Sequence, residues 1–129
     1  MVINPNLIVY KMHKMLELIL EKTRVVQIAS DKGYKTENDG HRIKFVKKDI
    51  EAGISYNPAR AILVLSLSSS KLLKISLENK GANSMRLNYN ERTGRQIFQI
   101  STQYSEVEEK FRALLSYDPY NEHPCGDFF

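Results

Sequence analysis

Residues 60–67 read RAILVLSL, and this short run decides the fold. Ala61, Leu63, Leu65 and Leu67 fall on one face of an extended chain, while Ile62 and Val64 fall on the other. A strand that is apolar on both faces belongs inside a sheet, not at its rim. Its neighbours alternate with the same period of two. YKTENDGHRIKFVKK (34–48) reads as a hairpin with Asn38, Asp39 and Gly40 in the turn and Ile43 and Phe45 on the buried face. AGISYN (52–57) alternates Ala52, Ile54 and Tyr56 and stops at Asn57-Pro58. Leu73, Ile75 and Leu77, then Met85, Leu87 and Tyr89, then Phe98 and Ile100 continue the alternation across loops at 79–83 and 90–94. Tight turns in succession make the sheet antiparallel.

Outside this block the period becomes helical. Asn4 and Pro5 suit a helix entry, by a capping side chain and a first-turn proline. Ile8, Met12, Met15, Leu16, Ile19, Thr23 and Val26 then recur every three or four residues. Lys32 and Gly33 mark the exit. The spacing predicts one helix of about 28 residues, roughly 42 Å long, with a weak point near the β-branched Val25 and Val26. A short helix is predicted from Ser105, with Glu108 closing a capping box and Val107, Phe111, Leu114 and Leu115 on one face. The expected fold is α+β: a long N-terminal helix, an antiparallel sheet of six or seven strands in back-and-forth order, and a short C-terminal helix covering the same face. Residues 1–129 make one domain by length, with 117–129 as an extended tail.

The charge is polarised. Residues 1–48 carry ten basic and five acidic side chains, 60–95 carry seven and two, and 101–129 carry two and six. No apolar run approaches the roughly 18 residues of a membrane-spanning helix. The N-terminus lacks the basic flank and cleavage site of a leader and reads as mature protein. Cys125 stands alone, so no internal disulfide is available and a reducing cytoplasm is the expected location.

Catalytic signatures are sparse. His13, His41 and His123 are far apart in sequence, no Gly-x-Ser-x-Gly occurs, and His123 with Cys125 supplies too few ligands for a structural zinc site. Glu106, Glu108 and Glu109 suit a helix N-terminus on electrostatic grounds alone. Gly33 and Gly40 have neither phosphate-loop nor dinucleotide spacing. Neither a cofactor nor a metal is expected, and the expected mode of action is binding without catalysis.

Two partner classes follow. The first is another protein, engaged in a stoichiometric complex of the inhibitor or immunity type through Arg86, Arg92, Arg95 and the aromatic tail residues Tyr117, Tyr120, Phe128 and Phe129. The second is a nucleic acid, held by a basic hairpin surface of Lys44, Lys47, Lys48, Arg86, Arg92 and Arg95. Side-chain parity argues against the second. Tyr89 alternates with Met85 and Leu87, and Phe98 with Ile100, so both aromatics face the core and cannot stack bases.

Overall fold

The computed structural model describes residues 5–69, 85–90 and 95–116. In chain order its elements are α1 (Pro5–Lys22), α2 (Val25–Asp31), β1 (Lys35–Asn38), β2 (Ile43–Lys47), β3 (Ile50–Asn57), β4 (Ile62–Ser69), β5 (Met85–Asn90) and β6 (Arg95–Thr102). A 3-10 turn (Tyr104–Glu106) and α3 (Val107–Leu115) follow. The fold is α+β, with an antiparallel sheet. The predicted strand around Leu73 to Leu77 lies outside the described residues.

The single long helix is corrected to two. Thr23 ends α1: its amide and its Oγ1 both donate to the Ile19 carbonyl, at 3.0 and 2.7 Å. A hydroxyl that competes for a helical carbonyl weakens the next turn. Arg24 then leaves the helical region at φ −99°, ψ 19°. The bend lets α1 lie over β3 while α2 reaches β1 and α3. The predicted exit does form. Gly33 takes φ +90°, and the amides of Gly33 and Tyr34 donate to the Ser30 and Ala29 carbonyls at 3.0 and 2.9 Å. That is the glycine-terminated double bond of a Schellman end.

The predicted capping box is also corrected. Ser105 sits in the 3-10 turn, and no side chain caps α3. Glu108 reaches out of its own helix instead, and its Oε2 accepts the Arg24 amide at 2.8 Å. An acid read as serving its own helix thus satisfies the free amide at the start of α2.

Sheet order is β1-β2-β3-β4-β6-β5. The simple back-and-forth order holds only through β4, because β6 comes between β4 and β5 and takes the interior place. Register shows why. Leu67 pairs with Phe98 and Leu65 with Ile100, so the most apolar face of β4 meets the most apolar residues of β6. Phe98 is fully buried, as are Ile43, Phe45, Ile54, Leu65 and Leu67 on the same side of the sheet. The Phe45 and Phe111 rings lie 4.8 Å apart at 47°, tying β2 to α3. Each fully buried ring of this kind contributes about 3 kcal/mol.

Candidate functional site

The described helices bury their apolar residues against the sheet face that carries Phe45, Leu65, Leu67 and Phe98. The residues of opposite parity make the second face, which no described helix covers. Reading the registers from strand to strand gives its rows. Lys44, Gly53, Ser66, Gln99 and Arg86 align across five strands, and Val46, Glu51, Ser68, Ile97 and Asn88 align beside them. Four spacings of about 4.8 Å put the Lys44 and Arg86 backbones roughly 19 Å apart. Ser55, Val64 and Ser101 form a third row. The floor is mixed, with small polar residues along the centre and the half-buried aliphatics Val46, Ile62, Val64 and Ile97 around them.

Local sequence builds the charged end of this floor. Asn38 Oδ1 accepts the Gly40 amide, and Asp39 Oδ1 accepts the amides of His41 and Arg42, all at 2.9 Å. Gly40 supplies φ +87°, which a residue with a side chain adopts only under strain. The amides of Arg42 and then His41 pull the Asp39 carboxyl below its ordinary 3.8. This turn delivers Arg42 to the open face, where its Nη2 donates to Glu51 Oε2. Lys44 Nζ stands 3.8 Å from the other oxygen, Glu51 Oε1. One carboxylate therefore serves two cations, and the group keeps a net positive charge.

Gly53 explains how the guanidinium can lie against the sheet. A Cβ at this position would stand 3.4 Å from Arg42 Cζ and Nε and 3.2 Å from Ser66 Oγ. With no side chain there, Arg42 covers the strand, and its Nε is buried without a hydrogen-bond partner among the described residues. Glycine inside a strand marks such a close approach. That is the one sequence signal for Arg42, Glu51 and Gly53, which the sequence reading did not bring together.

The residues named from sequence separate. Lys44 lies on the open face, and Arg86 and Arg95 occupy open-face register positions, Arg86 opposite Gln99 and Arg95 opposite Asn90. Lys47 pairs with Ile50, so it has the parity of the covered face, and its Nζ lies 5.5 Å from the Tyr34 ring centre. Lys48 is exposed in the β2–β3 turn at φ 55°. The three lysines therefore do not share one surface. Phe98 is in the core, and Tyr89 pairs with Gln96 in the register of that same face. Arg92, Tyr117, Tyr120, Phe128 and Phe129 lie outside the described residues.

His13 and His41, remote in sequence, come together with ring centres 5.9 Å apart. Among the described residues no three His, Cys, Asp or Glu side chains converge as metal ligands, and no helix is long and apolar enough to cross a membrane. Comparison with known proteins gave no matching family model, no similar curated protein and no similar solved structure.

Proposed function

We propose that the protein acts by stoichiometric association, docking an acidic protein surface on the open face of its sheet. The observation that carries this reading is the Arg42–Glu51–Lys44 group on a half-buried floor containing Val46, Ile62, Val64 and Ile97. A floor that mixes half-buried aliphatics with small polar side chains, with a guanidinium at its edge, matches the mixed composition of protein interfaces, in which Arg is enriched. Two cations sharing one carboxylate favour a partner that brings further acids. An inhibitor or immunity type of action is the form this takes if the partner is an enzyme or toxin whose site the face covers. Arg86 and Arg95 hold register positions on the same face.

A polynucleotide would use the same cations, but the described positions of this face offer no aromatic ring for stacking. The test is affinity capture by the native chain beside R42E/K44E and K48E. An acidic protein retained by the native chain and by K48E, and lost with R42E/K44E, supports the reading. Retention of RNA or DNA, released by salt at roughly one power of concentration per phosphate contacted, replaces it with the polynucleotide.

A further inference from the structure

Among the described residues, the large hydrophobic side chains that remain exposed are Leu7 (48%), Tyr10 (56%) and Leu18 (38%), and all three lie on α1. Lys11, Lys14, Glu17 and Glu21 are exposed beside them. These seven positions recur every three or four residues and make one exposed stripe along α1. They also repeat every seven: Leu7, Lys14 and Glu21 share one position, Tyr10 and Glu17 another, Lys11 and Leu18 a third. That is the spacing of a seam between two helices.

The order of residues along the stripe indicates which helix fits. Leu7 and Glu21, Tyr10 and Leu18, and Lys11 and Glu17 are each symmetric in sequence about Lys14. A second α1 laid antiparallel about a two-fold axis at Lys14 sets Tyr10 against Leu18 and Lys11 against Glu17, each pair occurring twice. Leu7 meets the methylene stem of Glu21 at the two rims. Lys14 would face its own copy, but its Nζ is drawn along its own helix, 3.7 Å from Glu17 and 5.6 Å from the Tyr10 ring centre. Beside the stripe a groove of about 240 Å³ runs between α1 and β3, lined by Tyr10, Lys11, Lys14, Met15, Leu18 and Tyr56. Its size and apolar walls suit a side chain from the opposing helix.

We propose that two copies of the chain associate through α1, antiparallel about Lys14, in an isologous dimer. The surface is charge-complementary to itself, basic at Lys11 and acidic at Glu17, and few other partners would match that order. It lies on the far side of the molecule from the open sheet face, so the dimer leaves both open faces free and does not rest on the function proposed above.

Sedimentation velocity on the full chain tests it. The native protein should move from monomer toward twice that mass as concentration rises. K11E and E17K should each weaken the association about tenfold, because each reverses two symmetry-related pairs. K11E/E17K together should recover most of the loss, since the pairs are rebuilt with signs exchanged. These substitutions are on exposed positions, so folding is preserved. A native chain that stays monomeric at its highest soluble concentration overturns the proposal. So does a double variant that associates no better than the single ones, or an R42E chain that loses association as K11E does.

Discussion

The two faces of the sheet use the same strands to opposite ends. On the covered face Phe45, Ile54, Leu65, Leu67 and Phe98 lose all contact with water. One residue away along each strand, Lys44, Ser55, Val64, Ser66 and Ile97 stay half-exposed. The contrast teaches that the apolar content of β4 has two causes. Leu63, Leu65 and Leu67 are apolar because helices pack on them, while Ile62 and Val64 are apolar under no described element. Burial accounts for the first set, and contact with something outside the fold is the reading offered for the second.

The comparison breaks most directly at Phe98, on the covered face, and Val64, on the open one. Phe98→Ala should cost about 4 kcal/mol in urea unfolding, from lost burial and the cavity left behind. Val64→Ala should cost about 1 kcal/mol, because its side chain is half in water already. Equal costs would mean that the open face is as much a core as the covered one. Glu108→Gln sharpens the account of the covered side. It weakens the acceptor for the Arg24 amide across two helices, and a loss of about 0.5 to 1 kcal/mol is expected, together with faster exchange of that amide. Unchanged exchange would show that the amide is held some other way.

The smallest effect belongs to the turn that places Arg42. Folding lowers the Asp39 pKa, so its ionised form is favoured in the folded state. The stability it brings is present above its unfolded value of 3.8 and is lost as pH falls through the lower folded value. The gap in urea midpoint between the native chain and Asp39→Ala should therefore hold from neutral pH down to that range and narrow below it. A gap that widens on acidification would contradict the turn geometry.

What could be read from the sequence was what neighbours in sequence decide. The two-sided apolarity of β4, the Asn38–Gly40 turn, the Gly33 helix end and the buried stripe of α3 are all local patterns. The rest depends on residues far apart in the chain. Alternation at Phe98 and Ile100 places both on one face but is silent on which strand lies alongside. The weak point near Val25 was visible, yet the break is set by Thr23 turning back on Ile19 and by an acid 84 positions away. At the candidate site, Lys44 was recognisable as a surface cation. Arg42 was not, because its place depends on a glycine in the neighbouring strand.

The insertion of β6 between β4 and β5 bears on how the chain is made. During synthesis β4 is complete long before residues 95–102, which supply the strand paired with its far side in the folded chain, leave the ribosome. Among the described strands β5, which emerges earlier, pairs with β6, so both take their place beside the same late segment. A nascent chain that stops before Arg95 thus lacks the strand that completes this side of β4, and an apolar strand edge left open is the kind that templates aggregation.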